Sequence, residues 1–332
     1  MRTPRVAWVS TPDETLLDLA LARAAVDRSA HERADLTTVP RALADPSTRV
    51  LTLRGGQAAV RGDGSGPHAV TLVLRPPADS DAAASPWFLG RHRGVAYLAV
   101  LAPEGFDDDG PSADEPSAEP DVRWAGLREI GAELGDADAG LLTTATALAG
   151  WHRTHRHCTR CGAVTEVVLG GWVRRCPADG SEHYPRTDPA VIMAVVDESD
   201  RILLGTGHAW QEGRVSVLAG FVEAGESAEA AVVREVREET GVEVTDLVYR
   251  GNQPWPYPGS LMLGYRARAL TTELRPDGEE LRFAGWFDRT TLASEAAAGR
   301  LTLPGRSSIA RHLIEEWFGG PVAEGAGPGG GR

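Results

Sequence analysis

Residues 220–242, GFVEAGESAEAAVVREVREETGV, decide how the C-terminal half of this chain must fold. Ser227 is a good helix N-cap, Ala228 to Val236 propagates a helix, and Gly241 is placed to end it, so the spacing predicts one helix near 227–240. At about 100° per residue, Glu235, Glu238 and Glu239 share roughly one third of its circumference. Like charges so placed destabilise an isolated helix by about 0.2–0.5 kcal/mol per pair, a cost that Arg234 and Arg237 are expected to offset in part. A solvated charged face is the ordinary outcome for such a pattern. Here, however, Ala230, Ala231, Val232, Val233 and Val236 supply an apolar face, while Gly220 and Gly225 shape the loop before the helix. A loop that folds back on the helix brings Glu226 and backbone carbonyls toward the same carboxylates. Hard oxygen ligands of this kind suit Mg²⁺ or Mn²⁺.

The stretch matches G-x5-E-x7-R-E-U-x-E-E-x-G-U, with U aliphatic, at all nine defined positions, and so resembles the box of the Nudix hydrolases. The resemblance implies that the loop and helix hold divalent cations against a diphosphate. It gives Glu235 and Glu239 as metal ligands, Glu238 as an assistant, Arg234 as the group orienting the carboxylates, and Glu226 as a support for the loop. Arg234, Glu235, Glu238 and Glu239 are then the expected catalytic set. Metals in such a site neutralise diphosphate oxygens and lower the pKa of a bound water. Glu239 is the favoured proton acceptor, although members of the family differ on this base.

Downstream, residues 252–262 read NQPWPYPGSLM, where three prolines alternate with two aromatics. Such a segment is stiff and loses little entropy on meeting a flat ring, though a rigid loop packed on the core reads the same way. It resembles the SQPWPFPxS signature of the NADH pyrophosphatase branch of the superfamily, departing at Asn252 and Tyr257. The resemblance implies that Gln253, Pro254, Trp255, Pro256, Tyr257, Pro258, Gly259 and Ser260 line a dinucleotide site, with Trp255 and Tyr257 stacking on the ligand or shaping the loop. It also implies a further metal-ligating carboxylate at Glu280, a backbone carbonyl to metal from Ala219, and substrate contacts from Tyr184 and Ala310.

Upstream, Cys158 and Cys161 form a CxxC, with Cys176 following after 14 residues. This resembles the zinc ribbon that the same branch carries between its two main domains. The fourth cysteine is replaced by Asp179, and Glu182, His183 and His157 are alternatives for the fourth ligand. Three thiolates completed by an Asp or a His are chemically acceptable to Zn²⁺. The expected role of this zinc is structural.

Working outward, Val50 to Leu53, Ala69 to Leu74 and Val95 to Leu101 read as strands of a mainly β domain. Residues 104–121 hold eight carboxylates and no cation, the composition of a disordered acidic loop. Helices are expected over Trp124 to Ile130 and Leu141 to Trp151, and a buried strand over Pro189 to Val196. The predicted class is α+β: an N-terminal, mainly β domain with helices (1–150), a zinc ribbon (151–186), a Nudix domain with the α/β/α sandwich fold and a mixed sheet (187–318), and a disordered tail (319–332). Family resemblance extends over about 85–318 and is loose before residue 80.

The chain has 332 residues, 42% of them hydrophobic, enough for two domains each with its own core. A net charge of −13 argues against binding nucleic acid through bulk charge. All 34 Lys or Arg positions are Arg, which removes lysine nucleophiles and Schiff bases. The 3 cysteines fit a reducing cytoplasm and a metal site, and no run approaches the ~20 apolar residues of a membrane span. The reading that follows is metal-dependent hydrolysis of NADH or NAD⁺ to nicotinamide mononucleotide and AMP, with NAD caps on RNA 5′ ends as a further substrate and a homodimer implied by the family. The alternatives are a broader Nudix hydrolase of ADP-ribose or related dinucleotides, and a zinc-ribbon RNA-binding protein with an inactive Nudix domain.

Overall fold

The computed structural model describes residues 17–64, 66–102, 121–276 and 278–325. The acidic stretch 104–120 and the tail beyond residue 325 lie outside them. Two compact units are formed, one by residues 17–19, 188–253 and 261–325, the other by 20–187 and 254–260.

The elements of the first unit are β10 (Asp188–Val196), β11 (Ile202–Gly207), β12 (Leu218–Phe221), α4 (Ala228–Thr240), β13 (Val244–Trp255), β14 (Ser260–Ala269), β15 (Leu281–Phe287), α5 (Arg289–Ala297) and α6 (Ile309–Phe318). Its sheet runs in the order β13-β14-β10-β11-β15, with β12 also paired to β10. β10 pairs antiparallel with β11 and β12, and β11 with β15. Strand periodicity sends alternate residues of β10 to opposite faces. Val191, Met193 and Val195 pack with Ala231, Val232 and Val236 of α4, whereas Ile192 and Ala194 pack with Leu292 of α5 and Leu313 and Ile314 of α6. A fully buried run on a strand therefore signals helices on both sides, which is the sandwich expected for this part of the chain. Burial of each such Val, Ile, Leu or Met side chain contributes about 1.5–3 kcal/mol.

The start of the expected tail departs from prediction. Val322 is buried with the α5–α6 core, and Glu324 accepts from Leu303 N at 3.0 Å and from Arg311 at 2.5 Å. Composition suggested disorder from Gly319, but Arg311 is only 3% exposed and has to be matched by carboxylates, which orders this segment.

The second unit contains α1 (Thr38–Ala44), β1 (Arg49–Arg54), β2 (Gln57–Arg61), β3 (Thr71–Leu72), β4 (Trp87–His92), β5 (Val95–Leu101), β6 (Val122–Gly126), α2 (Leu127–Ile130) and α3 (Asp136–Thr154), followed by the small sheet β7 (Glu166–Val168), β8 (Val173–Arg175) and β9 (Glu182–His183). The main sheet runs β3-β2-β1-β5-β4 with β6 on β2, and β1 and β5 are parallel. Trp124 to Gly126, expected to be helical, belongs instead to β6. Trp124 lies opposite Ala59 of β2, and ladder formation overrides the local pattern; only Leu127–Ile130 is helical. α3 extends the expected helix at both ends and buries Leu141, Leu142, Ala145 and Leu148. Among the described residues no helix is long and apolar enough to cross a membrane.

Candidate active site

α4 carries the acidic array. Ser227 Oγ accepts from Ala230 N at 3.2 Å, and Gly241 closes the helix at φ 74°, a left-handed conformation that favours glycine. Glu235 and Glu239 are buried at 8% and 4% exposure, while the side chain of Glu238 is 54% exposed. The three residues share one flank, as the helical spacing requires, but only two are withdrawn from water.

Arg234 holds the array together. Its Nε and Nη2 donate to the two oxygens of Glu226, both at 2.9 Å. Nη1 donates to Glu235 Oε1 at 2.8 Å and to Glu238 Oε2 at 3.1 Å, and Nη2 also donates to the Phe221 carbonyl at 2.8 Å. All five guanidinium donors are engaged. Arg237, expected to share this task, makes no such contact among the described residues. Arg237 is exposed, and Arg234 ties the loop to the helix through Glu226 and the Phe221 carbonyl.

Charge follows geometry. Hydrogen bonds from Arg234 hold the Glu226 carboxyl below its ordinary range, and the carboxylates raise the Arg234 pKa in return. Burial pushes Glu235 up; Arg234 opposes this, and the neighbouring charges of Glu280 and Glu238 add to it. Glu280 is thus close enough for its charge to be felt at Glu235, although it lies just before β15 and not on the helix.

Gly220 is required by the same carboxylate. A Cβ there would lie 1.9 Å from Glu235 Cδ and 2.0 and 2.3 Å from its oxygens. The β12 backbone therefore forms a cradle filled by the acid. Ala219 precedes it in β12, opposite Ile192 of β10. A buried pair of hard carboxylates with a third at Glu280 suits a divalent cation.

The proline-rich segment divides between the units. Gln253 is fully buried and donates from Nε2 to the Ser307 carbonyl at 2.9 Å, bracing β13 against the loop before α6. Trp255 and Tyr257 meet edge to face at 5.3 Å and pack against the core of the second unit. The Arg128 guanidinium lies 3.8 Å from the Tyr257 ring centre and 5.5 Å from that of Trp255. Pro256 and Ser260 are buried, Pro254 and Gly259 half-buried, and Pro258 exposed. Ala310 is buried in the α6 core with its N–H on Ser308 Oγ, and Tyr184 is 61% exposed with its hydroxyl donating to Glu182 at 2.7 Å. The contact of Arg128 with the signature aromatics had no local sequence signal, because it is made by a residue over 120 positions away in the chain.

Cys158, Cys161, Cys176 and Asp179 bring one ligand atom each to within 4.8 Å of one another. Cys161 Sγ and Cys176 Sγ are 3.5 Å apart, and Cys158 Sγ lies 3.8 Å from Asp179 Oδ2. Such spacings suit the edges of a tetrahedron with metal–sulfur bonds of about 2.3 Å. Asp179 is the fourth member of this set; Glu182, His183 and His157 are outside it. Ser181, not foreseen, donates from N and Oγ to Asp179 Oδ1 at 2.9 and 2.6 Å and fixes the carboxylate; an Asp two residues before a Ser is the turn signal that marks it. These bonds lower the Asp179 pKa to about 2.

Comparison with known families matches residues 186–305 to the NUDIX domain, 153–184 to the NADH pyrophosphatase zinc ribbon domain and 47–151 to the NADH pyrophosphatase-like rudimentary NUDIX domain. The chain belongs to the NADH pyrophosphatase branch of the Nudix hydrolases. The match begins well before residue 85, where the resemblance had been expected to start. Proteins called NAD-capped RNA hydrolase NudC, from Mycobacterium bovis BCG Pasteur and Mycobacterium tuberculosis H37Rv, are each 40% identical over 261 residues, covering 75% of this chain and 78% of theirs. The protein of that name from Pseudomonas aeruginosa LESB58 is 42% identical over 203 residues, 61% of this chain and 69% of its own. As a Nudix hydrolase with its Arg234–Glu235 and Glu238–Glu239 pairs intact, the chain uses a divalent metal, and the cysteine cluster lies within its zinc ribbon.

Proposed function

We propose that this Nudix hydrolase cleaves the diphosphate of NADH and NAD⁺ to nicotinamide mononucleotide and AMP, and removes NAD caps from RNA 5′ ends. The observation that carries the reading is the Glu235 carboxylate, seated on Gly220 and tied by Arg234 beside the buried Glu239. The 40% identical relatives are called NAD-capped RNA hydrolases, which supports the NAD-capped substrate.

In this reading Glu235, Glu239, Glu280 and the Ala219 carbonyl hold Mg²⁺ or Mn²⁺, and Cys158, Cys161, Cys176 and Asp179 hold a structural Zn²⁺. The catalytic ions, when bound, neutralise diphosphate oxygens and acidify a water. Glu239 takes the proton of the attacking water. A new P–O bond forms as the anhydride P–O bond breaks, and the departing phosphate leaves as part of one mononucleotide. Arg234 keeps the carboxylates in register, and Gln253 to Ser260 bound the dinucleotide site with Tyr184 and Ala310. Action in the cytoplasm as a homodimer completes the proposal.

A substrate panel of NADH, NAD⁺, ADP-ribose and NAD-capped RNA with Mg²⁺ or Mn²⁺, read by product identification, tests it. AMP and nicotinamide mononucleotide should appear from NADH, and Trp255→Ala should weaken NADH cleavage far more than ADP-ribose cleavage. Equal losses would remove the role of the loop in selecting dinucleotides; RNA binding without any AMP release would favour an inactive Nudix domain.

A further inference from the structure

The second unit carries a groove of about 320 Å³ between the turn after Arg33, β4 and the ribbon turn Val168–Gly171, with Asp35 the one carboxylate in its lining. Beside it stands Trp172, anchored by its Nε1 donating to the Phe88 carbonyl at 2.8 Å. The guanidinium carbon of Arg33 lies 3.6 Å from the Trp172 ring centre, and that of Arg28 5.8 Å. Two cations thus share one indole.

Neither cation has a carboxylate partner among the described residues, although acids surround them in sequence. Asp27 caps Ser29 N, Glu32 is held by Arg91, and Asp35 is taken by Thr37 and Arg41. Arg33 makes a single hydrogen bond, from Nη2 to the Arg28 carbonyl at 3.1 Å, and its buried Nε has no partner. Burial and the nearby Arg28 charge depress its pKa. In a chain of net charge −13, where acids outnumber bases 47 to 34, a half-buried Arg33 beside an exposed Arg28, neither matched by a carboxylate among the described residues, stands out energetically. An anion would relieve the repulsion and supply the absent acceptors. The groove also has apolar walls, with Leu36 82% and Val167 37% exposed. A guanidinium over an indole brings together the two kinds of planar group on which unpaired RNA bases stack.

We propose that this groove binds single-stranded RNA, with Arg28 and Arg33 each meeting a backbone phosphate and a base stacking at the Arg33–Trp172 pair. The proposal rests on the reading of capped RNA as a substrate and adds a second place where the transcript is held.

The test uses the full chain and an uncapped, 5′-phosphorylated single-stranded RNA 20-mer, with binding followed by fluorescence anisotropy across a salt series. For the Arg28→Ala/Arg33→Ala variant, affinity should fall at least about tenfold, and the slope of log K against log salt should flatten by about 1.4, since each lost phosphate contact removes roughly 0.7. The exposed Arg28→Ala alone should flatten it by about 0.7, which keeps the test valid if the double variant folds poorly. NADH turnover should stay within twofold of the parent. Unchanged affinity and slope would overturn the proposal. So would equal losses of RNA affinity and NADH turnover, which indicate structural damage. If the parent fails to cleave NAD-capped RNA yet binds the 20-mer through these arginines, the substrate reading falls and the groove stands.

Discussion

Replacing Gly220 by alanine is expected to separate activity from stability. The new Cβ would be 1.9 Å from Glu235 Cδ, and carbon contacts settle at about 3.5–4.0 Å, so the carboxylate must retreat by roughly 1.5 Å. Because the obstructed atoms are the end of a flexible side chain, the backbone need not yield. The structural loss is chiefly the bond from Arg234 Nη1 to Glu235 Oε1, a charge-assisted contact worth about 1.5–3 kcal/mol. The chemical loss is larger, since misplacing a reacting group by about 1 Å costs on the order of 100-fold in rate. AMP release from NADH with Mg²⁺ should therefore fall at least about 100-fold, while far-UV circular dichroism still shows a folded chain melting only a few degrees lower. Gly225→Ala is the comparison. At φ 86°, with nothing within 4 Å of a Cβ, it adds backbone strain of about 1–2 kcal/mol but leaves Glu235 untouched, and its turnover should fall far less. A folded Gly220→Ala variant with near-parental turnover would refute the assignment of Glu235 to the metal site.

Glu239→Gln should abolish NADH cleavage with little change in melting temperature; parental turnover would sink its role as ligand and base. Purified protein should carry about one zinc per chain by atomic emission, and Asp179→Ala should lower that occupancy, with full retention arguing that Asp179 is not a ligand. Burial holds the His152 pKa down at about 4, from an ordinary 6.5, with its Nε2 on the Gly171 carbonyl at 2.9 Å. The folded form thus prefers neutral His152, so its contribution is complete above pH 6.5 and is lost as pH falls toward 4, an effect of about 3 kcal/mol at most. Urea titrations of His152→Leu should show a flatter stability profile across that window, and an unchanged slope would remove His152 as its source.

Where local chemistry governs, the sequence was readable. Ser227 and Gly241 bound α4 as their capping preferences require, and the continuous apolar run over Pro189 to Val196 is a buried strand, packed between α4 on one face and α5 and α6 on the other. The carboxylates could be placed on one flank from spacing alone, but which of them are buried depends on how β12 folds back, and only the structure separates Glu235 and Glu239 from Glu238. Trp124 was misread because its pairing with β2 is made by residues over 60 positions away. Val322 and Glu324 were misread because composition does not register a buried arginine waiting to be neutralised.

The engagement of Arg234 has one more consequence. With all five N–H groups committed to Glu226, Glu235, Glu238 and the Phe221 carbonyl, this arginine has no donor to spare for a phosphate. It works as a fixed joint of the scaffold and takes no share of the charge that arrives with the ligand. In a chain without a single lysine, that charge falls to the bound cations and to arginines elsewhere, so scaffold and electrophile are carried by different parts of the molecule.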